Sequence, residues 1–143
     1  MKSVISMAAL LLTASAANAA DEAEPVRLYD LVIQTGMPHL EENLRYADTR
    51  ERRCVDTRDL SQMFPVLRHV SLQDCVLAKD SGNDAVATTY VLKCTGGHGT
   101  SGGAQWQWDA QSISGTLSVR LGGKNMTFYQ RITGQAVGAC KGS

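Results

Sequence analysis

The chain has 143 residues, with 14 basic against 14 acidic side chains and 43% apolar residues. That length suits one domain, and the balanced charge removes any global attraction to nucleic acid or to an anionic membrane. With four cysteines and only 6% aromatic residues, the placement of the cysteines is the first strong signal.

Met1-Lys2 is followed by an apolar run from Val4 to Leu12 and then by Ala17-Asn18-Ala19. A basic start, a short apolar stretch and an Ala-x-Ala site are the parts of a secretory signal peptide, so residues 1–19 are expected to be cleaved. The apolar run is well short of the roughly 18–20 residues that span a bilayer. No later stretch is long and apolar enough to cross one, and no cysteine follows the cleavage site to carry a lipid. The mature chain is expected to be soluble and exported to the periplasm, with 13 basic against 14 acidic residues.

Residues 20–25 read as a flexible acidic lead-in to a single domain spanning residues 26–140. Val26 to Gln34 has Tyr29, Leu31 and Ile33 on one side and Leu28 and Val32 on the other, as in a strand partly buried on both faces. A loop starts at Met37-Pro38-His39, and residues 40–45 read as a solvated excursion. Tyr46 to Val55 is expected to form a second strand whose charge density marks it as an edge or a rim. Arg50, Arg52, Arg53 and Arg58 interleave there with Glu51, Asp56 and Asp59, the pattern of a salt-laced surface. Asp56 as N-cap, Asp59 three residues on, Leu60 and Phe64 on one face and Pro65 as terminator predict a short helix over 57–64.

From Ser71 onward the period is two. Gln73 to Lys79 leads into the turn Asp80-Ser81-Gly82-Asn83-Asp84. Val86, Thr88, Tyr90, Leu92 and Cys94 share one face of the return strand. The glycine-rich stretch Gly96 to Gly103 reads as a flexible connection; it lacks the pattern of a phosphate-binding loop. Trp106 and Trp108 then face the same way, followed by Leu117, Val119 and Leu121, and finally by Met126, Phe128, Gln130 and Ile132. The fold expected is all-β with one short helix. Its sheet is a strongly curved antiparallel meander, or a small barrel or half-barrel, with the helix plugging one end.

Cys54, Cys75, Cys94 and Cys140 are even in number and destined for an oxidising compartment, so they are expected to form two disulfides. No Cys-x-x-Cys pair supports redox chemistry. Three pairings are possible; the arrangement favoured is Cys54–Cys75 with Cys94–Cys140, stapling the middle loop and the C-terminus.

The order of these features is similar to a known family. Arg27-Leu28-Tyr29-Asp30 and Met37-Pro38 come first, then Cys54, Asp74-Cys75 and Cys94-Thr95-Gly96. Arg131-Ile132-Thr133-Gly134 and Gly138-Ala139-Cys140 close the series. The chain resembles, over roughly residues 26 to 140, the small exported bacterial proteins grouped as domain of unknown function 3617. It departs from their Gly-Leu-Trp-Glu-like opening at Arg27 and Tyr29. The resemblance implies a compartment and a cysteine framework, and no activity or catalytic residues.

Met37, His39, His69 and His98 are the side chains suited to a soft metal such as copper. They are scattered without a His-x-His or Met-x-x-Met array, so neither a metal site nor a cofactor is expected. No Ser/His/Asp or Cys/His motif is present, and no catalytic role is assigned. The candidates for binding a partner or ligand are Trp106, Trp108, Tyr90, Tyr129 and His98. The expected function is that of an exported accessory protein presenting an aromatic sheet face and loops to another exported or envelope protein. The alternative is a carrier enclosing a small apolar ligand among Trp106, Trp108, Val86, Leu117 and Phe128.

Overall fold

Alternation of apolar and polar side chains builds the architecture. The computed structural model is described for residues 24–37, 46–80, 86–96, 98–122 and 126–140. It runs through β1 (Val26–Gly36), β2 (Tyr46–Asp56), β3 (Cys75–Lys79), β4 (Ala87–Cys94), β5 (Ser101–Trp108), β6 (Ser112–Leu121) and β7 (Met126–Gly138). The leader over 1–19, His39 with the excursion over 40–45, and most of the turn after Asp80 lie outside the described residues.

All strand pairs are antiparallel, in one seven-stranded sheet of order β2-β1-β7-β6-β5-β4-β3. From β3 to β7 the sheet is a meander. The β1–β2 hairpin then joins its far side, because β1 pairs with β7 in register Ile33↔Ile132. The sheet is not a closed barrel, since β2 and β3 remain its two edges. At one end these edges approach: Lys79, closing β3, donates to the carbonyl of Arg58, two residues beyond β2. The charge-rich edge is salt-laced as expected, with Arg52–Asp30 at 2.6 Å, Arg58–Asp56 at 2.9 Å and Arg53–Glu51 at 3.5 Å.

One face of the sheet, the inner face, holds Tyr29, Leu31, Ile33, Tyr90, Leu92, Ala104, Trp106, Ile113, Leu117, Val119, Phe128 and Ile132, all buried. It is covered by residues 57–74, which pass between the two edges as an irregular strap. Leu60, Met63, Phe64 and Leu72 of the strap are buried against it.

The helix expected over 57–64 does not form; that segment is a succession of turns. Asp56 Oδ1 accepts from the Arg58 N–H at 2.9 Å, and Asp59 Oδ1 accepts from the Ser61 N–H at 3.0 Å and its hydroxyl at 2.6 Å. The Leu60 N–H donates to the Tyr90 hydroxyl at 2.9 Å. Side chains have taken the donors a helix would have used, the competition short polar residues offer to helical backbone. Pro65, read as a terminator, instead opens a 3₁₀ turn, Pro65–Arg68, followed by another at Val70–Leu72.

The disulfides join Cys54 to Cys140 and Cys75 to Cys94, which overturns the favoured pairing. The sheet order gives the reason. Cys75 lies directly opposite Cys94 in the β3–β4 hairpin. Cys54 is opposite Leu28, and Leu28 is opposite Gly138 on β7, so Cys140 arrives beside Cys54 across the inserted β1. Cys54 and Cys75 stand on opposite edges of the sheet.

Candidate functional site

The aromatic face that the sequence offered to a partner is the core. Trp106 is 2% exposed, with its ring 5.1 Å from that of Phe64 in a tilted arrangement. It lies so close over Gly115 that a Cβ there would stand 2.4 Å from the indole. Tyr90 is 1% exposed and accepts from the strap; burial pushes its hydroxyl pKa up. Burial therefore removes Trp106 and Tyr90 from any contact surface. Trp106 Nε1 and Thr88 Oγ1, on residues paired across β4 and β5, are buried without a hydrogen-bond partner among the described residues.

Trp108, Tyr129 and His98 keep accessible surface, but the fold does not bring them together. Trp108 closes β5 and His98 precedes it, so the two stand about 23 Å or more apart along an extended strand. Tyr129 projects from the opposite, outer face of the sheet. Among the metal candidates, Met37 packs against the core. His69 Nδ1 accepts from the Ser71 N–H at 3.1 Å. Among the described residues no three His, Cys, Asp or Glu side chains gather as a metal site. The five residues named for an apolar cavity do not line one together: Phe128 borders one cavity and Trp106 another, while Leu117 is fully buried and Val86 is 51% exposed.

Two cavities bordered by described residues lie along the outer face. One, of about 420 Å³, is bordered by Ser101, Gly103, Ser118, Arg120, Thr127 and Tyr129. The other, of about 280 Å³, is bordered by Thr89, Gln105, Gln107, Ser114 and Thr116. The register sets these side chains in rows. Tyr129↔Ser118↔Gly103↔Val91 forms one row, Arg131↔Thr116↔Gln105↔Thr89 the next, and Thr133↔Ser114↔Gln107↔Ala87 a third. Gly103 is thus strand rather than flexible connection, and a Cβ there would stand 2.9 Å from the Tyr90 carbonyl oxygen. The Tyr129 ring folds over Gly36 of β1, where a Cβ would stand 2.2 Å from Cζ.

The electrostatics of this face are one-sided. Strands β4–β7 contain Lys93, Arg120 and Arg131, all on the outer side, and no Asp or Glu. The carboxylates held below their ordinary pKa stand outside these four strands and are committed. Asp30 is held by its hydrogen bond to Arg52, Asp56 by Arg58, and Asp59 by Ser61. Asp109, just beyond β5, is held by the N–H groups of Gln111 and Ser112 at 2.8 Å.

The sequence reading missed this face because it followed aromatic residues. The legible signal was the Thr, Gln and Ser opposite each apolar position, together with the absence of acidic residues over four strands. Comparison of the chain with protein-family models, curated proteins and solved structures finds no match, so its role rests on this geometry.

Proposed function

We propose that this chain is an exported, non-catalytic accessory protein of the cell envelope that works by surface contact through the outer face of β4–β7. The observation that carries this reading is the division between the two faces. The inner one is filled by the strap, with Leu60 and Leu72 at 0% exposure and Phe64 at 1%. The outer one, over β4–β7, borders two open cavities among the described residues. A carrier would need the interior volume that Trp106, Phe64 and Leu117 occupy. Export to the periplasm is supported by the leader, by the resemblance to the exported domain of unknown function 3617 and by two disulfides, which persist in oxidising compartments. No helix among the described residues is long and apolar enough to cross a membrane.

A photo-crosslinking residue placed at Gln105, with a second version at Thr49 on β2, tests the reading in cells exporting the protein. Discrete adducts at Gln105 and none at Thr49 are expected. Equal capture at both positions, or a small apolar molecule retained one-to-one in native mass spectrometry, would overturn it.

A further inference from the structure

The larger outer-face cavity belongs to an apolar stripe whose surroundings narrow what can fill it, on the reading that this face is the contact surface. The stripe is one register row. Tyr129, Ser118, Gly103 and Val91 stand side by side on β7, β6, β5 and β4, and Ala78 on β3 continues the row. Adjacent strands are about 4.8 Å apart, so the row crosses about 19 Å of sheet. Ser118 and the Tyr129 hydroxyl are its polar side-chain groups, Gly103 adds only backbone, and the lining of the cavity is mostly apolar. Val91 is 38% exposed, and Val76, two residues before Ala78, is 63% exposed.

Cations stand on both sides of the stripe. Strands β4 and β6 run in the same direction, so Lys93 and Arg120 lie on one side of it, each two residues beyond Val91 and Ser118. Strand β7 runs the other way and sets Arg131 on the opposite side. Each is one row, about 6.8 Å, from the stripe. Arg120, which has a local partner as well, also lines the cavity. Strands β4–β7 carry no carboxylate. Of the two acidic residues flanking β3, Asp74 accepts from the Gly96 N–H at 2.8 Å and Asp80 is engaged too. An apolar strip between basic rows is the complement of an apolar side chain flanked by acidic ones. The cavity is open at the surface, so it cannot enclose a free small molecule as ligand clefts do. It can receive a side chain carried on a partner's backbone, as pockets at protein interfaces receive their anchors.

We propose that this stripe docks an acidic segment of another exported protein, which seats a bulky apolar side chain in the cavity beside Tyr129 and sets its carboxylates toward Lys93, Arg120 and Arg131. The apolar side chain supplies the buried contact, and the charges select the partner and its orientation. An anionic lipid surface shares the charge, but it is met by apolar side chains that project into the bilayer; here the apolar lining is a concavity.

The test selects a displayed library of random short peptides on the disulfide-bonded mature chain, with counter-selection on a Val91→Asp variant. The enriched peptides are expected to carry net negative charge and to place Trp, Phe, Leu or Ile next to Asp or Glu. A synthetic peptide from that set, followed by fluorescence anisotropy, should weaken about tenfold or more with Val91→Asp and with Lys93→Gln plus Arg120→Gln. Val91→Thr, which keeps the branched shape and removes a methyl group, should weaken it severalfold with the thermal midpoint unchanged. No enrichment, enriched peptides that are basic or lack an apolar residue, affinity unmoved by these substitutions, or binding to phosphatidylglycerol vesicles in place of peptides would overturn the proposal. If no peptide is enriched while the Gln105 adducts still form in cells, the acidic-segment assignment fails and the contact surface stands. If the adducts are missing as well, both fail.

Discussion

Gln105 and Trp106 are adjacent on β5, yet they belong to different regimes. Trp106 is wedged between Phe64 of the strap and the backbone of Gly115. Gln105 lies in an open furrow beside Thr89 and Thr116. Because a strand sends successive side chains to opposite faces, one segment can commit half its residues to cohesion and leave the other half to meet solvent or a partner. The inner face carries most of the aromatic residues and the hydrogen bonds to the strap. The outer face carries the cations and most of the hydroxyls. Accessible chemistry therefore sits where aromatic content is lowest.

Four experiments break or sharpen this contrast. The largest effect lies at the sheet edges that hold both faces in place. Cys54–Cys140 closes a separation of 86 residues and Cys75–Cys94 one of 19. The chain-entropy relation then assigns about 4–5 kcal/mol to the first and about 3 kcal/mol to the second. The double substitution Cys54→Ser with Cys140→Ser should lower the denaturant midpoint more than Cys75→Ser with Cys94→Ser; the reverse order would show that the hairpin, not the long closure, holds the curl.

Next is the pair on β5 itself. Trp106→Ala should cost about 3–5 kcal/mol through the cavity it leaves, whereas Gln105→Ala should stay within about 0.5 kcal/mol. Comparable losses by urea unfolding would erase the division between faces.

A third experiment separates two polar groups on the inner face. Tyr90→Phe removes the acceptor of the buried Leu60 N–H and should cost about 1–3 kcal/mol. Thr88→Val removes a buried hydroxyl that has no partner among the described residues and should be neutral or stabilising by up to about 1 kcal/mol. A thermal scan of the two variants reads the opposite signs directly.

The smallest effect is acid sensitivity. Asp30, Asp56, Asp59 and Asp109 have pKa values lowered in the folded protein, so the folded state binds fewer protons than the unfolded chain just below the ordinary carboxylate range. Their contribution is present above about pH 4 and lost as the pH falls through the lowered values. Since these groups are on the surface, the midpoint should decline gently below pH 4, and Asp30→Asn should flatten part of that decline.

Much of the sheet was legible because its signal is local. Tyr29, Leu31 and Ile33, then Thr88, Tyr90 and Leu92, then Leu117 and Val119 announce their buried face by alternation, and the charged run through Arg53 announces an edge. The strap was misread because Leu60 and Phe64 have helical spacing, while the groups that divert its backbone include Tyr90 on β4 and Gln130 on β7. Gln130 accepts from the Val66 N–H at 3.1 Å and donates to Thr35 at 2.9 Å, and none of these partners is near another in sequence.

The candidate site shows the same divide. The sequence alone determined which side chains share a face, that four cysteines form two bridges and that four strands lack carboxylates. Only the tertiary structure decided which cysteines meet and which face is open. Alternation fixes the side on which a residue projects, but the order of strands and the path of the strap fix what it meets there. Here β1 inserts between β2 and β7, and that one long-range pairing carries Cys140 to Cys54 and lays Tyr129 over Gly36.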